Sequence, residues 1–181
     1  KAEKSQHLNY GGKKMNIFVL DEDPRTCAEY HCDKHVVKMI LETAQMMCTV
    51  NNELGNTTPY KSAFSKHPCT LWLKQSLANY NWTLQLVKHL NREYQERYNK
   101  TIEHKSWGVV RSLPTKILLP DTELTPFAQA MPDEYKNVDP VIAYRTYYIN
   151  DKKDFATWKN KVPDWWVKPS NWYRTEGVVS K

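Results

Sequence analysis

The sequence predicts a mainly α fold: a single compact helical domain with a short N-terminal extended segment and long Pro-rich loops. Three observations carry this. Apolar residues recur at helical spacing over two long stretches. One short β-branched run, "NIFVL", stands alone near the start. Five prolines fall within the 28 residues 113–140, too many for regular structure.

The elements follow in order. Residues 1–14, "KAEKSQHLNYGGKK", are polar and aperiodic and read as a flexible extension, leaving 15–181 as one helical domain. "NIFVLD" reads as a strand or an extended buried segment. Asp23 followed by Pro24 is a helix start, with Asp as N-cap and Pro at the first helical position. The first long helix is expected from Pro24 to Val50, with Val37, Ile40, Leu41, Ala44, Met47 and Cys48 as its buried stripe. A second is expected from Thr70 to Asn99, with Leu73, Leu77, Tyr80, Leu84, Val87, Tyr94 and Tyr98 inward. Shorter helices are expected at 101–112, 138–150 and 152–160, with one helical turn at 125–130 inside the Pro-rich loop. The aromatic tail, "VPDWWVKPSNWYRTEG", is expected to pack back across the domain.

Lys and Arg number 26 against 20 Asp and Glu, a formal charge of +6, which suits a polyanionic partner such as DNA or a nucleotide. Seven Trp and eleven Tyr supply rings for a core or for stacking on bases. No apolar run reaches the roughly 20 residues of a membrane span, and "MNIFVL" is too short for a signal-peptide core. A cytoplasmic location, the host cytoplasm if phage-encoded, is expected. Cys27, Cys32, Cys48 and Cys69 form no CxxC pair and read as small apolar residues.

Positions 31, 35, 38, 42 and 45 step by four, three, four and three, which places His31, His35, Lys38, Glu42 and Gln45 on one helical face. Three readings of that face stand open. It is a solvated face with a Lys38–Glu42 pair. Or His31 and His35, one turn apart, bind a divalent metal with a third ligand from His67, His104, Asp21 or Glu42. Or it does acid–base and amine chemistry on DNA: a partly desolvated lysine, Lys34 or Lys38, as nucleophile, Glu42 or Asp33 as carboxylate, and His31 and His35 as proton carriers. Lys100, His104, Lys105 and Arg111 with Trp107 form a basic, aromatic cluster suited to phosphates. Arg145 with Tyr148 repeats that pairing in "AYRTYY". His67 precedes the second helix, where a cap or a phosphate contact are both open. Tyr30, Trp72 and Trp107 are candidates to receive or replace an extruded base.

The stretch "NIFVLDEDPRTCAEYHCDKHVVKMI" resembles the opening of phage-type pyrimidine dimer DNA glycosylases, small all-helical enzymes of the endonuclease V type. "YHCDKHVVKM" and "TPFAQAMPDEYK" are also similar to small proteins of tailed phages. The resemblance implies an enzyme that attacks C1′ of the damaged nucleotide with an amine, in that family the α-amino group of a processed N-terminus. It then cleaves the strand through an imine, aided by a first-helix glutamate. In that family the glutamate follows Tyr-Arg; here Tyr30 is followed by His31, Cys32 and Asp33, and Asn16 follows Met15. A lysine, Lys34 or Lys38, is therefore expected in place of the terminal amine. The leading expectation is a DNA glycosylase/lyase acting on a damaged or modified base without a cofactor. A metal-dependent hydrolase or nuclease built on His31 and His35, and a non-catalytic nucleic-acid-binding phage protein, are the alternatives. The sequence leaves the oligomeric state open.

Overall fold

The computed structural model describes residues 15–167, and the expectations for 1–14 and for the tail beyond 167 lie outside them. Seven helices and no strand occur among the described residues: α1 (Pro24–Tyr30), α2 (Asp33–Glu53), α3 (Pro68–Leu73), α4 (Leu77–Arg97), α5 (Lys105–Ser112), α6 (Pro140–Asp151) and α7 (Asp164–Val167). The mainly α expectation holds.

α1 opens where Asp23–Pro24 predicts: the Asp23 carboxylate accepts the Thr26 N–H at 2.8 Å. It does not continue to residue 50. His31 and Cys32 adopt extended backbone, and α2 starts afresh at Asp33. No Pro or Gly marks this break. It is held from elsewhere in the chain. The Arg97 guanidinium donates to the carbonyls of Glu29 (2.9 Å) and His31 (2.7 Å). Trp158 Nε1 donates to the Tyr30 carbonyl, and the Cys32 N–H donates to the Tyr148 hydroxyl. Carbonyls that end a helix need such partners.

α2 is the central element. α4 packs against both α1 and α2, and α3 and α5 pack on α2 as well. Ile40, Ala44, Met46, Met47 and Cys48 of α2 are fully buried. Two residues of the expected inner stripe are not: Val37 is half-buried and Leu41 is 40 % exposed. Polar His35, Glu42 and Thr43 are buried in their place.

The second expected helix is also divided. α3 stops at Leu73, and Ser76 caps α4 by accepting the Asn79 N–H. α5 starts at Lys105 rather than 101, capped by the His104 imidazole. The expected turn at 125–130 is not helical; a single 3-10 turn forms at Asp133–Tyr135 instead. α6 matches its expected place within two residues, whereas 152–160 is non-helical and tied to the α1–α2 break.

The segment 15–20 is extended, buried and unpaired with any strand. Phe18 meets His35 of α2 on one side and Tyr144, Tyr147 and Tyr148 of α6 on the other. The segment is thus a filling between two helices. Its polar backbone groups are met by side chains, as burial demands. Arg145 donates to the Leu20 carbonyl, and the Asn16 side chain accepts from the Ile17 N–H and the Tyr144 hydroxyl. The Pro-rich loop closes another side. Phe127 packs on Trp72 and Trp82, and Thr125 is bonded to Asn79.

Candidate active site

The stripe read from the sequence is divided by the α1–α2 break. His31 belongs to the end of α1, while His35, Lys38, Glu42 and Gln45 remain on one face of α2. That face is not solvated. His35 is 4 % exposed and Glu42 7 % exposed, and only Lys38 reaches out, its side chain 59 % exposed. The desolvation of Lys38 assumed in the amine reading is therefore absent.

Glu42 is the unusual group. Its Oε2 is sealed from solvent and has no hydrogen-bond partner among the described residues. Lys38 Nζ stands 3.9 Å from Oε1, one turn back. Burial lifts the Glu42 pKa from the usual carboxylate range to about 7, with Lys38 and then Lys152 pulling the other way. A carboxyl that exchanges its proton near neutrality suits general acid–base work. Such shifts cluster at functional sites.

Beside His35, on the same face of α2, stand a set of rings and a second cation whose field reaches Glu42. Phe18 stacks on His35 at 4.6 Å and lies 6.0 Å from Tyr147, near parallel to both. Lys152, at the end of α6, sits over the Tyr147 ring at 4.9 Å and the Phe18 ring at 5.7 Å. Lys38 and Lys152 both act electrostatically on Glu42 and on His35. Met15, at the head of the extended segment, is hydrogen-bonded through its backbone to His67. His67 also caps α3, its Nδ1 accepting the Cys69 N–H.

The two buried histidines are neutral groups. His31 Nδ1 lies 2.7 Å from the Cys27 carbonyl. Burial, opposed by that bond, takes its pKa down to about 4. For His35, burial and then the nearby His31, Lys152 and Lys38 take it to about 2. Neither carries a proton near neutral pH, contrary to the shuttle role expected. Among the described residues no group of three or more His, Cys, Asp or Glu is placed to share a metal ion.

These shifts make a stability prediction. Both histidines have folded pKa values below the unfolded one of about 6.5, so they stabilise above it and destabilise as pH falls through it. Glu42, raised above its unfolded value, opposes this between 4.5 and 7. For these three groups the net difference is about one proton taken up on unfolding, and His67, His89 and His104, also lowered by burial, act in the same direction. This predicts a loss of roughly 1.4 kcal/mol per pH unit below 6.5, or about 3–6 °C in Tm. Thermal melts at pH 6.5, 5.5 and 4.5 check it, and a flat Tm would contradict it.

The other expected residues are placed as follows. Asp33 is 6 % exposed and fully engaged: Arg97 at 3.1 Å, Thr157 Oγ1 at 3.0 Å and the Lys159 N–H at 2.9 Å. It anchors the helix break and is not available as a reacting carboxylate. Lys34 is exposed, its Nζ 5.4 Å from the Phe155 ring centre. Trp72 is 3 % exposed, packed on Trp82 and Phe127, so it serves the core rather than an extruded base. Tyr148 is fully buried and likewise offers no stacking face. Arg145 is committed to the Leu20 carbonyl and Asp21, with its guanidinium over Tyr30 and Trp165. His104 caps α5. Lys105 and Arg111 are exposed, and Arg111 is paired with Glu103.

Surface grooves lie elsewhere among the described residues. One, of about 460 Å³, includes Tyr30, Arg25, His89, Arg92 and Lys161 in its walls. Another, of about 590 Å³, includes Lys88, His89, Arg92, Lys100 and Trp107. Sequence reasoning missed Phe18 and Lys152. Phe18 carries the ordinary signature of a core aromatic. Lys152 lies in a stretch expected to be a separate helix, and no spacing ties it to α2.

A helical domain holding a buried carboxyl near neutrality, one oxygen beside Lys38 and the other without a donor, has the makings of an acid–base site. Residues 15–106 match the family model of the pyrimidine dimer DNA glycosylases, and the chain belongs to that family of DNA-repair proteins. Membership implies DNA as the substrate. The match begins at Met15 and takes in the extended segment, both halves of the broken helix and α4. No similar curated protein and no similar solved structure was found. Among the described residues no helix is long and apolar enough to cross a membrane.

Proposed function

We propose that the chain is a DNA glycosylase/lyase for pyrimidine dimers, in which Glu42 is the acid–base carboxyl and Lys38 the reacting amine. The observation that carries the reading is the buried Glu42 Oε2, unpaired and beside Lys38, with a pKa near 7.

The chemistry is a displacement followed by an elimination. Lys38 Nζ, exposed and freed of its extra proton by solvent rather than by burial, attacks C1′ of the damaged nucleotide. The C1′–N1 bond breaks, and its electron pair takes up the proton that the attacking amine sheds. Glu42 in its acid form donates its proton to O4′ as the C1′–O4′ bond breaks. The opened sugar is then held as a protonated imine to Lys38. Glu42, now a carboxylate, takes a proton from C2′. The C3′–O3′ bond breaks with loss of the 3′ phosphate strand, and water releases the product from the lysine. One carboxyl near neutral pH serves both directions of proton transfer. Lys152, over the Phe18 and Tyr147 rings, is suited to hold a phosphate or the developing negative charge. The groove with Lys88, Arg92, Lys100 and Trp107 supplies cations and a ring for the DNA backbone and an unstacked base.

Borohydride reduction with dimer-containing duplex tests this. The wild type is expected to form a covalent adduct, and Lys38→Ala to lose it. An adduct that survives in Lys38→Ala would transfer the amine role to another group. Salt-dependent binding without any cleavage would sink the enzymatic reading.

A further inference from the structure

The hydrogen bonds at Tyr148 decide which nitrogen of His35 carries the proton. The Tyr148 hydroxyl oxygen accepts the Cys32 N–H at 3.0 Å. Its own proton faces two acceptors, His35 Nδ1 at 2.8 Å and Cys32 Sγ at 3.3 Å. An imidazole nitrogen is a far better acceptor than a thiol sulfur, and it is also the nearer. Tyr148 therefore donates to Nδ1, and the neutral ring keeps its proton on Nε2. The ring has little room to answer otherwise. It is stacked on Phe18, edged by Tyr148 at 5.2 Å and flanked by Phe155 at 5.6 Å.

Nε2 makes no hydrogen bond among the described residues, and His35 keeps 4 % of its surface exposed where His31 keeps none. It sits two helical turns before Glu42 on the same face of α2, among the same two lysines. We propose that Tyr148 is a positioning residue that fixes His35 as the Nε2–H tautomer, an uncharged hydrogen-bond donor to an oxygen of the damaged nucleotide. The inference rests on the glycosylase reading for its ligand, though not for its tautomer. A neutral donor complements Lys38 and Lys152. It holds a substrate oxygen without adding a third positive charge and without competing with Glu42 for protons. The role follows from the fixed tautomer, as the partner of one ring nitrogen dictates the other.

The test uses the full chain labelled with ¹⁵N-histidine. Long-range proton–nitrogen spectra are expected to show His35 protonated at Nε2 and bare at Nδ1, with assignment by His35→Gln. Tyr148→Phe is expected to turn this ring into a mixture of tautomers. Adding duplex with a reduced abasic site is expected to move the wild-type Nε2 signal. In cleavage of dimer-containing duplex, His35→Gln keeps an N–H near the Nε2 position and is expected to stay within about tenfold of wild type. His35→Leu is expected to lose about a hundredfold in kcat. A wild-type spectrum with the proton on Nδ1 overturns the tautomer, even if Tyr148→Phe fails to fold. Equal losses in His35→Gln and His35→Leu, or an unmoved Nε2 signal, overturn the donor role. A wild type that cuts no dimer DNA refutes the glycosylase reading and with it the ligand assignment, while the spectrum still decides the tautomer.

Discussion

Glu42→Gln is expected to abolish turnover and at the same time stabilise the protein in alkali. The loss of activity follows from its place beside Lys38: removal of an acid–base group typically costs about 10²–10⁴-fold. The stability gain follows from linkage. The folded carboxyl, with its pKa near 7 against a model value of 4.5, binds its proton more tightly than the unfolded chain does. Its contribution is therefore fully favourable below pH 4.5 and is lost as pH rises through 7. Above that, the wild type must hold a carboxylate whose Oε2 meets no donor. Glutamine removes the charge and keeps the shape. The gain at pH 8 relative to pH 4.5 is expected to approach about 3 kcal/mol. Paired thermal melts at the two pH values measure it, alongside single-turnover cleavage of dimer-containing duplex. Wild type and variant melting in parallel across that range would remove Glu42 as the titrating group. Full cleavage by the variant would remove it from the chemistry.

Arg97→Leu is expected to be the most damaging single change outside the site. The Arg97 side chain is 2 % exposed and is shared between the carboxylates of Asp33 and Glu93 and the carbonyls of Glu29 and His31. Leucine fills part of the space and meets none of these acceptors. Both carboxylates, 8 % and 9 % exposed, would be left buried without their cation. Breaking such a pair by deleting one partner costs about 3–5 kcal/mol, or roughly 10 °C for a chain of this size. Burial already pushes the Glu93 pKa up, with Arg97 as its main opponent. The loss should therefore deepen with rising pH, as two lone carboxylates resist ionisation. Urea titrations at pH 5 and 8 read both effects. A Tm within two or three degrees of wild type would show that Trp158, Tyr148 and Thr157 hold the helix break without the arginine.

The contrast between Glu42 and Asp33 shows what the sequence made legible. The helix start at Asp23–Pro24 was readable because a cap is local, between a side chain and a backbone N–H three residues on. The break at His31–Cys32 was not, because Arg97, Tyr148 and Trp158, which hold it, come from more than 60 residues away. Periodicity placed Glu42 correctly with His35 and Lys38 on one face. It misjudged what covers that face, since Phe18 stacks on His35 from the extended segment with Tyr147 of α6 behind it. The same blindness promoted Trp72 and Tyr148, whose ring types suit bases and cores alike. Burial chose the core. Lys152 escaped notice because a lone lysine after a helix has no pattern; only the meeting of α6 with the extended segment gives it a role.

That extended segment also sets the order in which the protein can be made. Residues 15–20 leave the ribosome long before their partners, since the Asn16 side chain bonds Ala130 and Tyr144, 114 and 128 positions later. Cys27 and His35, close in sequence, cover one side of "NIFVL", but its α6 side stays open in the meantime. The helical hairpins form from local contacts in microseconds to milliseconds, whereas closing a loop of over a hundred residues comes late and raises the contact order. The set of rings beside His35 is therefore the last part of the domain to arrive. Until α6 is synthesised the nascent chain carries a half-covered apolar segment, and with it an aggregation hazard that the finished protein no longer shows.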